Sequence, residues 1–193
     1  GLYLLDKQNL PLLGIQSLDS RAVETVDEFA ADGRDDLIYD ICLQKPWPSQ
    51  TATLLAWLKR HAPDIYAQTG TAFLCKDYLR FCLTGTIGSD YSDMSGCGLL
   101  RLPSLEYDQE LLTHYGLEDC PNLLPPLSQS TDIIGKVTPE AAEQTGLQAG
   151  TPMVAGLFDI VASALGAGTT QPGQASIVAG TWSINQVVVE QQI

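Results

Sequence analysis

Residues 151–168, TPMVAGLFDIVASALGAG, run from an uncharged strand-like segment straight into a helix-like one, with a single charge, Asp159, at the junction. A continuous uncharged strand is expected where both faces of a sheet are covered, and strand followed by helix is the repeating step of an α/β domain. Open α/β sheets present ligands at the C-terminal edge of their strands. Asp159 is therefore a candidate for chemistry: a helix N-terminus favours the ionised carboxylate, which can accept a proton from a hydroxyl. The same placement suits an ordinary helix cap, and the residue alone does not choose between the two.

The rest of the chain repeats the alternation. LYLLD and LPLLGIQ, separated by DKQN, read as a hairpin. DSRAVETVDEFA offers Asp19 and Ser20 as N-caps and places Ala22, Val23, Val26, Phe29 and Ala30 on one helical face. Pro46 and Pro48 break the chain around Trp47; Ser49 caps the next helix, which Leu54, Leu55, Trp57 and Leu58 carry to Pro63. Trp47, held rigidly between two prolines, either plugs the core edge or faces a ligand. The strand TAFLC leads into a helix ending at Gly85. Asp90 and Asp93 lack EF-hand spacing and read as caps and turn formers. A helix is expected from about Ser104 to His114, then a strand DIIGKV, a helix PEAAEQTG with Pro139 in its first turn, and the strand TPMVAG. ASIVAG and NQVVV close the chain as two β runs joined by GTWS. There Gly180 lets the backbone approach a ligand, and the hydroxyls of Thr181 and Ser183 with the turn amides can surround phosphate oxygens.

Composition removes several classes. Twenty-three acids against 10 bases give a net charge of −13, without the basic footprint of a nucleic-acid binder and with repulsion from anionic membranes. The apolar runs are too short to span a bilayer. Cys42, Cys75, Cys82, Cys97 and Cys120 are odd in number and show no CxxC pairing, so they read as reduced, mostly buried thiols rather than a zinc site or disulfide framework. His61 and His114 have no partner at ligand spacing, and no metal site is expected.

Taken in order, LPLLGIQSLDSRA, LLAWLKRHAPDIYAQTGTAFLCKDYLRFCLTGTIGSDYSDMSG, TPMVAGLFDIVASALGAG and IVAGTWSINQVV resemble the FGGY family of carbohydrate kinases over essentially the whole chain. The style of CKDYLRFCLTG and VAGTWSIN is most similar to the branch acting on L-xylulose, xylulose, erythritol and related short sugars and polyols. The resemblance implies an actin-like (RNase H-like) α/β sugar-kinase fold. Residues 1–168 are then the sugar-binding N-terminal domain without its opening strands, and 169–193 the start of the ATP-binding C-terminal domain. It implies ATP and Mg²⁺ as cofactors, a sugar or polyol as substrate, a cytoplasmic location and a homodimer. Asp159 matches the family's catalytic base and also contacts the substrate, Gly180 and Thr181, with Ser183 beside them, match the turn on the ATP phosphates, and Trp47 falls near an aromatic placed against the sugar. The departures are an absent Asp-x-Gly-Thr phosphate loop, an absent adenine-binding region, Leu54 where the family's first signature has lysine, and no aromatic before Asp19. The chain is thus expected to be an internal portion of such a kinase, nearly inactive alone. A second reading stays open, a non-catalytic sugar-binding or interaction module derived from a sugar kinase.

Overall fold

The computed structural model describes residues 1–180 and 183–191, in two compact units that divide after Gly156. The first opens with the expected hairpin, β1 (Leu2–Asp6) and β2 (Pro11–Ile15). Asp6 shapes its turn: Oδ1 accepts the N–H groups of Gln8 and Leu10 at 2.8 and 2.9 Å. Helices α1 (Val23–Ala31), α2 (Arg34–Cys42), α3 (Thr51–His61) and α4 (Pro63–Gln68) follow. Strand β3 (Thr69–Phe73) then pairs antiparallel with β1, giving the order β2-β1-β3. The pairing is close: a Cβ on Gly70 would lie 2.5 Å from the Asp6 carbonyl oxygen, so only glycine fits there.

The central strand buries Leu2, Leu4 and Leu5, and Leu2 and Leu4 share one core with Ile15, Phe29, Ile38, Leu54, Leu55, Leu58 and Tyr115. Each such side chain removed from water contributes about 1.5–3 kcal/mol. Phe29 meets Tyr115 edge to face, with ring centroids 5.9 Å apart. The buried face of α1 differs from the sequence reading: Ala22, Thr25 and Phe29 point inward, while Val23 and Ala30 are exposed. Nor do the expected caps form. Asp19 accepts the backbone N–H and the guanidinium of Arg21 instead of capping α1, because a nearby cation competes with the helix for its oxygens. The N-cap of α3 is Gln50, without a side-chain cap bond, and Ser49 is buried.

Beyond the sheet, α5 (Cys75–Thr84) stops at Gly85, whose φ of 68° is the left-handed conformation expected of a glycine at that point. Then come β4 (Ser89–Asp90), α6 (Tyr91–Gly96), β5 (Leu100–Arg101), β6 (Glu106–Tyr107) and α7 (Gln109–Tyr115). The helix expected from Ser104 starts later. Residues 106–107 pair with β5 instead, and Asp108 caps α7 by accepting the Leu111 N–H at 2.8 Å. Strand β7 (Leu127–Ser128) runs parallel to β4. Next are β8 (Ile133–Lys136), α8 (Pro139–Thr145) with Pro139 in its first turn, and β9 (Pro152–Val154).

Strand β9 corrects the sequence reading. Among the described residues it pairs antiparallel with β8 alone, and Val154 is 48% exposed, so this strand is not covered on both faces. An uncharged run reports only that charge is unwelcome nearby, and here the sheet has two strands. Three of the five cysteines are buried; Cys75 and Cys82 are exposed.

The second unit holds α9 (Asp159–Gly166), β10 (Ala175–Ala179) and β11 (Ser183–Val187). The two strands form an antiparallel hairpin from Ala175↔Val187 to Ala179↔Ser183, and its Ile177 and Val187 are exposed. Among the described residues no helix is long and apolar enough to cross a membrane.

Candidate active site

Asp159 is the first residue of α9, and Phe158 holds the N-cap position. The carboxylate is exposed; its Oδ1 accepts the Ile160 N–H at 2.7 Å, and its backbone oxygen accepts the Ser163 hydroxyl at 2.8 Å. The cap function is thus partly performed by the candidate residue itself. Residues 157–193 contain no Lys, Arg or His, so within its unit the carboxylate meets no cation that would tie it into an ion pair. Gln186 of β11 donates to the Ile160 carbonyl at 3.0 Å and fastens the hairpin to the first turn of α9. Gly180 follows β10 and Ser183 opens β11 of that same hairpin, both exposed. Thr181 lies outside the described residues. Trp47 belongs to the first unit, in the loop between α2 and α3. It is 38% exposed, and its carbonyl accepts the Gln50 N–H at 3.1 Å.

The first unit also holds an ion cluster that the sequence reading passed over. Helix α5 carries Lys76, Asp77 and Arg80; β4 supplies Asp90 and α6 supplies Asp93. Asp77, Asp90 and Asp93 are at most 3% exposed, as is Arg80. The Lys76 ammonium lies 2.6 Å from Asp77, 3.1 Å from Asp90 and 3.0 Å from Asp93. Arg80 pairs with Asp77 at 2.9 Å and also donates to the Gly88 carbonyl. Ser89 donates its hydroxyl to Asp77, and Ser92 and Ser130 donate theirs to Asp90. Asp90 does cap α6 through the Ser92 N–H at 2.9 Å. Asp93 is neither cap nor turn former, a second correction: it is buried against Lys76. The available signal was Lys76 and Arg80 at i and i+4, which a helix sets on one face.

Burial pushes the Asp90 carboxyl up, but the Ser92 hydrogen bonds and the Lys76 ammonium outweigh it and hold it below the ordinary carboxylate range. Asp93 goes the other way, pushed up to about 6 by burial, with the charges of Asp77 and Asp90 adding to it and Lys76 opposing. Between about pH 4 and 6 the folded chain therefore binds a proton on Asp93 that the unfolded chain has lost, so this group's contribution makes stability fall as pH rises through that window. Asp93→Asn removes the dependence. Urea unfolding from pH 4 to 7.5 is expected to show the variant gaining on the parent through that window and levelling off above it, by on the order of 2 to 3 kcal/mol. A pH-independent difference would contradict the assignment.

Against known proteins, residues 1–166 match the N-terminal domain of the FGGY family of carbohydrate kinases. The L-xylulose/3-keto-L-gulonate kinase of Escherichia coli is 42% identical over 185 residues, 95% of this chain and 37% of that protein. An autoinducer-2 kinase of Yersinia enterocolitica is 33% identical over 94% of this chain and 34% of its own length. The chain thus spans little more than a third of these curated relatives. A ligand-bound xylulose kinase from Lactobacillus acidophilus superposes over the whole chain, 39% of its own, with a TM-score of 0.90 at 25% identity. The fold is that of the actin-like sugar kinases, and on its match over residues 1–166 the chain belongs to the FGGY family of carbohydrate kinases.

Proposed function

We propose that the protein carrying this chain transfers a phosphoryl group from ATP to a hydroxyl of a short sugar or polyol of the L-xylulose, xylulose or erythritol class, in the cytoplasm, with Asp159 as the base. The observation that carries the reading is the exposed Asp159 carboxylate on the first turn of α9, in a unit without any cation. Kinases for L-xylulose stand among the relatives, and this supports the substrate class. In the same reading residues 1–168 are the sugar-binding domain and 169–193 begin the nucleotide domain.

Phosphoryl transfer asks the protein mainly to position reactants and stabilise charge. Asp159 would accept the proton of the attacking hydroxyl as its oxygen forms the new bond to the γ-phosphorus and the bond from that phosphorus to the departing ADP oxygen breaks, so the alkoxide never builds up. Trp47 would lay its ring against the apolar face of the sugar. The exposed Gly180 and Ser183 beside the paired ends of β10 and β11 fit the phosphate end of a nucleotide, with the Gly180 amide and the Ser183 hydroxyl as donors, and Thr181 is kept as a phosphate contact on the family resemblance. ATP, when bound, supplies the transferable phosphoryl group. Mg²⁺, when bound with the ATP phosphates, would supply charge neutralisation there. No group of three or more His, Cys, Asp or Glu that could hold a metal ion occurs among the described residues, and no step is assigned to a metal held by this chain.

Coupled ADP release with the complete gene product against four- and five-carbon sugars and polyols tests the proposal. Turnover of one of them is the expected result. If none turns over and one raises the melting temperature, the protein is a sugar-binding module instead.

A further inference from the structure

Charge balance alone explains why Lys76 and Arg80 sit among three buried carboxylates, but it does not explain where their remaining donors go. Both reach the same main-chain oxygen: Lys76 Nζ lies 2.9 Å and Arg80 Nη1 2.8 Å from the carbonyl of Ala155, which is 1% exposed. Two cationic donors on one carbonyl make the strongest class of hydrogen bond available to a backbone group. The same dipeptide is held on its other side. The Ala155 N–H donates to the Asp132 carbonyl and the Gly156 N–H to the Ser130 carbonyl, each at 2.9 Å. Gly156 has φ +85°, and a Cβ there would meet the Lys76 stem at 3.1 Å, so the chain turns sharply against that stem before it leaves the first unit.

The ammonium of Lys76 has three N–H groups and four oxygens around it, those of Asp77, Asp90, Asp93 and Ala155. Its position is therefore dictated from several sides, and it transmits that position to Ala155. Asp159 follows four residues later. We propose that Lys76 is a positioning residue for the reaction, gripping the Ala155 carbonyl together with Arg80 so that the backbone leading to Asp159 starts from a fixed point. The proposal rests on the reading of Asp159 as the base.

The test is a double-mutant cycle in the complete gene product with the substrate that turns over: Lys76→Met, Asp159→Asn and the pair. Lys76→Met is expected to lower kcat roughly 10- to 100-fold, the scale of a misplacement of about 1 Å, while KM for sugar and ATP stays within about twofold. In the Asp159→Asn background the same change is expected to cost less than about threefold, because a misplaced asparagine loses little more. If Lys76→Met does not fold, Lys76→Met with Asp93→Asn restores the cluster's original charge and replaces it in both arms. An unchanged kcat, an effect confined to KM, or full multiplication of the two losses overturns the inference and leaves Lys76 a purely structural residue. If Asp159→Asn itself keeps activity, the base assignment fails instead, and the two failures are told apart.

Discussion

Asp159→Asn is expected to lower kcat for sugar phosphorylation about 10²- to 10⁴-fold, the range in which a positioned general base contributes. Asparagine keeps the size of the side chain and an oxygen to accept the Ile160 N–H, so the first turn of α9 retains its bond. What disappears is the ability to take a proton. Since the residue is exposed, stability should move by no more than about 0.5 kcal/mol. The measurement is coupled ADP release at saturating sugar and ATP beside a melting curve. Activity within about fivefold of the parent, with an unchanged melting temperature, would remove Asp159 from the chemistry and return it to the role of a helix-start residue.

Arg80→Ala is expected to produce the largest loss of stability among these substitutions, about 3–5 kcal/mol, the cost of taking one member out of a buried ion pair and leaving the acids in excess. Arg80 is 3% exposed and Asp77 is fully buried. The guanidinium donates to Asp77, the Ala155 carbonyl and the Gly88 carbonyl at once, so truncation takes a donor from each of three buried acceptors, leaving Asp77 to Lys76 and Ser89 and the Ala155 carbonyl to Lys76. Against a typical total of about 5–15 kcal/mol such a loss removes a large share of the folded population. Arg80→Lys keeps the charge but offers one compact donor centre in place of the planar fork, and is expected to recover only part of the loss. Urea midpoints of the three proteins check this. A midpoint for Arg80→Ala within error of the parent would show that solvent reaches the cluster.

The two predictions differ in how visible their residues were. Asp159 was legible because the signal is local: one charge at the seam of a strand-like and a helix-like run. The hairpin of β1 and β2, the end of α5 at Gly85 and the start of α8 at Pro139 were legible for the same reason, since a turn or a cap is decided by a few adjacent residues. The family was legible from the order of its segments. Helix α2 went unassigned; its buried residues are Ile38, Ile41 and Cys42 in an otherwise acidic stretch, a pattern that becomes a helix only once the core exists to receive it. Strand β9 misled because hydrophobicity does not record how many neighbours a strand will have.

The sequence by itself determined the local grammar of this protein, its α/β character, its family and the identity of the candidate base, because backbone preference, periodicity and the order of segments act along the chain. The tertiary structure alone decided the cluster of Lys76, Asp77, Arg80, Asp90 and Asp93 and its hold on Ala155. Those groups are up to 79 positions apart. Taken singly each reads as an ordinary surface charge or cap, and only burial gives it a different meaning: out of water a charge has to find partners across the fold, and which partners it finds is settled by packing.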